Sequence, residues 1–211
     1  RTLPGVYDSP FIFRGSDDVP TVNCTLYQRI CCVPLAPRRV GVVAHAQHVA
    51  FTNATLQWVD GHTELFPRLV SLLAPGGCLA VQMPLSWDAP SHRLMRQTLV
   101  DGGPGGTALG GDDVRDKVGR KWVDDADEYY DLLVGETATI DIWETEYLQI
   151  LRGDDPVLEW IKGTGLRPVL NGLPEAERSV YLTEYARRLR EAYPMRAHGE
   201  TLYPFRRLFI V

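Results

Sequence analysis

An apolar run, HVAF, ends at Asn53, and a second amide and an indole, Gln57 and Trp58, follow within five residues in FTNATLQWV. Neutral hydrogen-bonding groups and a large ring at the point where a strand ends suit a binding site, because ligands of open α/β sheets sit outside the carboxyl ends of the strands. A second chemical signal is cationic: the chain carries 19 Arg against 3 Lys. Guanidinium groups pair with carboxylates in a bidentate way that ammonium groups cannot, so a small acid is a substrate class this composition suits. Biased genomic base composition accounts for the same excess. Metal chemistry is not expected: Cys24, Cys31, Cys32 and Cys78 lack the paired spacing of a zinc site and are expected to be reduced thiols. The histidines His45, His48, His62, His92 and His198 form no HExxH-type ligand set.

These residues need a scaffold. With 211 residues, 45% hydrophobic and 23% charged, the chain can bury the core of one globular domain with room for a small second lobe. Its net charge of -5 argues against bulk nucleic-acid binding, which needs a basic surface. No window approaches the roughly eighteen consecutive apolar residues of a membrane span. The first thirty residues hold Asp17, Asp18 and scattered prolines in place of a secretion leader, so a soluble, cytoplasmic protein is expected.

From residue 48 the pattern is strand, helix, strand. HVAFTNA is strand-like; Asp60 stands where a helix N-cap belongs, and Leu65, Phe66, Leu69, Val70, Leu72 and Leu73 recur at helical spacing. Pro75, Gly76 and Gly77 are expected to stop that helix before CLAVQM, a continuous apolar strand. Short joints between the three imply a right-handed parallel crossover, half of a doubly wound α/β sheet. Beyond Pro84, SHRLMRQTLVDGG, DADEYYDLLV and DPVLEWIKG have helical patterns, the last started by Asp154 or Asp155. TATIDIWETEYLQIL and the closing LYPFRRLFIV are extended. The strongest helix is PEAERSVYLTEYARRLREAY, opened by Pro174, with Leu182, Tyr185, Leu189 and Tyr193 on one face and Arg187, Arg188 and Arg190 on a solvated one. Gly102 to Gly111 is expected as a flexible loop with no phosphate role, since it neither follows a strand nor opens a helix. Residues 1 to 47 carry five prolines and no sustained period, and their fold is unassigned.

NATLQWVDGH, LLAPGGCLAVQMP, DIWETEYLQIL, VLEWIKGTGLRP, EAYP and PFRRLFIV occur in the order and spacing of the trans-aconitate methyltransferases, and from residue 48 to 211 the chain resembles that family. The resemblance implies a Rossmann-like class I methyltransferase sheet with a mostly helical substrate lobe at about residues 85–200. It also implies S-adenosylmethionine as cofactor and methyl transfer to a carboxylate of a small polycarboxylic acid, trans-aconitate above all. The strand ending at Asn53 would be the fourth of the sheet. Asn53 and Ala54 would offer polar contacts beside the cofactor, and Gln57 and Trp58 would wall the space around the sulfonium methyl, where an indole face attracts positive charge. Trp58 as core filler is the alternative. A carboxylate is ionised at neutral pH and needs no general base, so no catalytic acid–base residue is implied and catalysis is by positioning. Charge neutralisation of the substrate falls to Arg167 and Arg207, with Arg206 a weaker companion; His92, Tyr147 and Tyr203, with Tyr129 and Tyr130, are supplementary donors.

One feature departs from the family pattern. Its members begin with a strand and an acidic, glycine-rich turn, D-L-G-C-G-P-G, and nothing between Arg1 and Ala50 matches it; Gly41-Val42-Val43 lacks the repeated glycines. The first part of the sheet is therefore either truncated and altered or diverged. Two further readings follow: a noncatalytic methyltransferase-like chain without the cofactor half, and a methyltransferase for another small molecule, since fold alone does not fix the substrate.

Overall fold

A computed structural model describes residues 47–211 and two short strands, β1 (Thr21–Val22) and β2 (Val33–Pro34), which pair antiparallel. Cys24, Cys31, Cys32, His45, Asp17-Asp18 and Gly41–Val43 lie outside the described residues. Eleven further elements follow in order: β3 (Gln47–Asn53), α1 (His62–Ser71), β4 (Leu73–Pro84), α2 (Pro90–Asp101), α3 (Asp112–Gly119), α4 (Ala126–Leu133), β5 (Ile142–Arg152), α5 (Pro156–Lys162), α6 (Arg167–Gly172), α7 (Glu175–Ala192) and β6 (Glu200–Ile210). The fold is mixed α/β, as the sequence pattern predicts, with a four-stranded sheet ordered β3-β4-β6-β5. The chain divides into two compact units. One holds the described residues up to Gln82 with Tyr130–Asp141 and Ile210–Val211; the other holds Met83–Tyr129 and Ile142–Phe209.

In the first unit β3 and β4 are parallel, from Val49 opposite Cys78 to Asn53 opposite Gln82, with α1 as the crossover. The helix buries Leu65, Phe66 and Leu69, the apolar face expected, while Val70 is only half-buried. Its start differs from expectation. Gly61, not Asp60, is the N-cap, with φ 72°, and its carbonyl accepts the Glu64 and Leu65 amides at 3.2 and 2.9 Å. A left-handed cap costs glycine little, and that favours it over the acidic side chain one residue earlier. The helix end differs as well. The chain leaves α1 at Ser71 and enters β4 at Leu73, so Pro75-Gly76-Gly77 lies inside the strand. Pairing jumps from Gln47–Leu73 to Val49–Cys78, and the intervening residues bulge out, with Gly76 at φ 75°. A Cβ on Gly77 would sit 2.9 Å from both the Ala74 and Gln47 carbonyl oxygens, so the bulge requires glycine there.

The second unit is built on α2, α5, α6 and α7. Met95, Leu99, Val157, Ile161, Val169, Tyr181, Tyr185 and Leu189 belong to one buried cluster, which Tyr203 of β6 joins. α7 turns Tyr181, Tyr185, Ala186 and Leu189 inward, with Leu182 at the margin. Four tyrosine hydroxyls are satisfied inside this core, three of them at one residue. Tyr185 donates to the Ser91 carbonyl at 3.0 Å, the Ser91 amide donates to Tyr193 at 3.0 Å, and the Ser91 and Tyr203 hydroxyls meet at 3.3 Å. Tyr181 donates to the Met95 carbonyl at 3.1 Å.

Two expectations fail in this unit. The glycine-rich loop is tied down: Leu109 is buried, its amide bonds the Leu99 carbonyl at 2.8 Å, and the Gly110 amide bonds Glu177 at 2.6 Å. Arg188 is not solvated. Its side chain is 13% exposed and lies 2.7 Å from both Asp101 and Glu184, whereas Arg187 and Arg190 are exposed and pair with Glu184 and Glu191 and with Asp155.

Candidate functional site

The carboxyl end of β3 turns sharply. Ala54 takes φ 50°, a left-handed conformation uncommon for a residue with a Cβ, and its amide donates to the Gln82 carbonyl at 2.9 Å. A one-turn 3-10 helix, Leu56–Trp58, follows at once. Two side-chain bonds lock the turn: Thr55 Oγ1 donates to the Asn53 carbonyl at 3.1 Å and Gln57 Nε2 to the Ala54 carbonyl at 2.7 Å. His62 Nε2 lies 3.0 Å from the Leu56 carbonyl, which ties the turn to the first residue of α1.

Of the four residues expected near a cofactor, all lie on this turn. Asn53 and Ala54 are exposed, and Trp58 is 52% exposed, so the indole does not fill the core. Gln57 is 9% exposed, and with its Nε2 committed to Ala54, its buried Oε1 has no hydrogen-bond partner among the described residues. An unmet buried acceptor costs about 1–3 kcal/mol, and a donor from outside the chain would recover it. Backbone strain and an unmet polar atom in one turn are features that concentrate at functional sites.

The residues expected to hold an acid belong to the second unit, and they divide. Arg207 is half-buried, with its guanidinium carbon 4.9 Å from the Phe205 ring and 5.7 Å from the Tyr147 ring. Desolvation lowers its pKa, with the Tyr147 hydroxyl opposing; the group stays charged at neutral pH because the ordinary arginine value is so high. Trp160, 40% exposed, extends this aromatic surface, its ring 6.2 Å from Phe205. A guanidinium held against rings, with part of its hydration removed, has the planar donor geometry that suits a carboxylate. Trp160 and Phe205 escaped the sequence reading, although both stand inside the WIKGTGLRP and PFRRLF blocks.

Arg206 is not part of that surface. Successive residues of a strand point to opposite faces, and Arg206 is exposed and ion-paired with Glu144 of β5. Tyr203 shares the Arg207 face but is 1% exposed, with its hydroxyl on Ser91. Burial, first, and the Tyr193 hydroxyl push its pKa up to about 12 against that hydrogen bond. Arg167, first residue of α6, is exposed, with no side-chain hydrogen bond or ion pair among the described residues. His92, in the first turn of α2, places Nδ1 3.2 Å from the Ser91 hydroxyl. Its Nε2 lies 3.1 Å from where a Cβ on Gly165 would be, so the glycine of GTGLRP leaves room for the ring. Burial, first, and the Arg96 charge lower its pKa to about 4, so at neutral pH the ring is uncharged. Tyr129 is buried with its hydroxyl bonded by the Asp124 amide at 3.2 Å, and Tyr130 is exposed. Among the described residues no group of three or more His, Cys, Asp or Glu could hold a metal ion, and no helix is long and apolar enough to cross a membrane.

No protein-family model matches the chain. Among curated proteins, it is 48% identical over 161 residues to a trans-aconitate 2-methyltransferase of Pseudomonas aeruginosa, covering 76% of this chain and 58% of that one. It is 49% identical over 162 residues to the Streptomyces coelicolor protein of the same name, covering 76% and 52%. With the namesake from an Acidovorax species it shares 43% identity over 204 residues, 93% of this chain and 75% of the relative. The chain thus spans a little over half the length of the Pseudomonas and Streptomyces relatives.

Proposed function

This chain belongs to the trans-aconitate 2-methyltransferase family, and from that premise we propose that it transfers a methyl group from S-adenosylmethionine to a carboxylate of trans-aconitate, forming a methyl ester. The observation that carries the proposal is the turn after β3, where left-handed Ala54, the unmet Gln57 Oε1 and the exposed Trp58 meet. These groups fit the cofactor. A buried acceptor without a donor suits an ammonium group, and an exposed indole face suits a sulfonium. When bound, S-adenosylmethionine supplies the electrophilic methyl group. Asn53, Gln57 and Trp58 would hold it, with Ala54 setting the turn.

The acid is nucleophilic as it stands, so the protein's task is to orient it and balance its charge. Arg207 has the character for this, a desolvated guanidinium on an aromatic face, and Tyr147 stands beside it. Arg167 supplies an uncommitted charge, and His92 is suited to hydrogen bonding as a neutral ring. Arg206, paired with Glu144, and Tyr203, buried on Ser91, are assigned no contact with the acid.

Calorimetric titration with S-adenosylmethionine, then mass spectrometry after adding trans-aconitate, tests the proposal. Micromolar binding and an ester product support it. A folded chain that gives heat with the acid but none with the cofactor would replace it with the second reading, a noncatalytic methyltransferase-like chain without a working cofactor half.

A further inference from the structure

Among the described residues β5 is an edge strand, last in the sheet order, and eleven residues long. Natural edges are usually short, charged or interrupted by proline, because an open row of amides and carbonyls recruits another strand. β5 has none of these protections through its middle: Tyr147, Leu148, Gln149, Ile150 and Leu151 carry no charge and no proline. Alternation puts Glu146, Leu148, Ile150 and Arg152 on one face, and all four are exposed, Leu148 by 56% and Ile150 by 60%. Glu146 has no ion-pair or hydrogen-bond partner among the described residues.

We propose that β5 is the interface with a second copy of this chain, the two strands pairing antiparallel about a two-fold axis at Gln149. The occupant follows from the segment Glu146-Tyr-Leu-Gln-Ile-Leu-Arg152, which is complementary to its own reverse. A two-fold axis at Gln149 sets Glu146 opposite Arg152, Tyr147 opposite Leu151, Leu148 opposite Ile150, and Gln149 opposite itself. Each pair is repeated by the symmetry, as an isologous interface requires. Directly opposed residues of an antiparallel pair share a face, so the exposed face gains two Leu–Ile contacts flanked by two Glu–Arg pairs. A shift of the axis by one residue in either direction loses this match: centred on Leu148, Glu146 faces Ile150; centred on Ile150, Leu148 faces Arg152. The uncommitted Glu146 carboxylate then has a partner, while Arg152, which also holds Glu200, lies on the rim with its side chain 77% exposed. The proposal is independent of methyl transfer.

Sedimentation velocity of the full chain from about 1 to about 200 μM tests it, since a weak dimer forms with rising protomer concentration. The expected result is a shift from 23.7 kDa toward twice that mass. Glu146→Arg opposes like charges twice and weakens association at least about tenfold. Adding Arg152→Glu restores opposite charges across the axis and recovers the dimer. Ile150→Lys, which leaves the charge pairs in place, also returns the chain to monomer. Far-UV circular dichroism confirms that each variant keeps its fold. A wild-type chain that stays at monomer mass throughout would overturn the proposal, as would a dimer that both Glu146→Arg and Ile150→Lys leave intact.

Discussion

Gln57 is a side chain whose two ends have different fates: Nε2 holds the Ala54 carbonyl and Oε1 is buried with no partner among the described residues. Replacing it with leucine removes one hydrogen bond worth about 1 kcal/mol and an unmet acceptor costing about 1–3 kcal/mol. Gln57→Leu is therefore expected to leave the urea midpoint near wild type while weakening S-adenosylmethionine binding about tenfold or more by titration. A large loss of stability with unchanged affinity would mark the amide as a turn lock alone. Arg207 allows a similar separation. Arg207→Ala is expected to raise the KM for trans-aconitate about tenfold or more with little change in cofactor affinity, because its proposed contact is with the acid. Arg206→Ala, which breaks a pair with Glu144 on the other face, is expected to change KM by less than about twofold; equal effects at the two positions would remove the distinction that strand alternation imposes.

At the scale of elements, the legible parts were those where one local rule decides. The β3–α1–β4 crossover followed from periodicity, and so did Tyr185 and Leu189 on the inward face of α7, which also holds Tyr181 and Ala186 and leaves Leu182 at its margin. The start of α1 and the Pro75-Gly76-Gly77 stretch were misplaced because glycine serves a cap, a stop or a bulge equally well, and only pairing with β3 selects the bulge. The polar residues after β3 could be located in sequence, but the unmet oxygen of Gln57 could not, since it depends on which way the amide turns. The arginines of α7 show the limit of pattern most plainly. Arg187 and Arg188 are neighbours in sequence, yet Arg188 is inserted between Asp101 of α2 and Glu184. Arg187 and Arg188 together hold the Glu184 carboxyl at about 2, Arg187 as the larger cause. Exposed pairs contribute about 0–1 kcal/mol, whereas removing one member of a sheltered network strands the others. Arg187→Ala is thus expected to leave the chemical-unfolding midpoint close to wild type and Arg188→Ala to cost about 1–2 kcal/mol. Equal costs would mean that the α2–α7 pairing adds nothing.

For the molecule as a whole, the polar node inside the second unit sets how stability depends on pH. His92 has a folded pKa of about 4 against an ordinary 6.5, so between these values the unfolded chain binds the proton that the folded ring refuses. Stability from this group is complete above about pH 6.5, falls as the solution is acidified, and has been lost by about pH 4. From pH 7 to pH 5 the loss amounts to at most about 2 kcal/mol. On the alkaline side the sign reverses. Tyr203 is raised to about 12 from 10, chiefly by burial, and Tyr181 and Tyr185 are raised further, again chiefly by burial. Above about pH 10 the unfolded chain releases protons that the folded core retains, and stability falls again. Urea midpoints measured from pH 4 to pH 11 should therefore show a plateau bounded by the two transitions. His92→Gln should flatten the acid limb and leave the alkaline limb alone, while Tyr203→Phe should do the opposite, less steeply because Tyr181 and Tyr185 remain. An acid limb that His92→Gln does not change would mean that carboxylates such as Glu184 carry it, in which case the fall would be confined to the range below about pH 4.5, where an ordinary carboxylate begins to take up its proton.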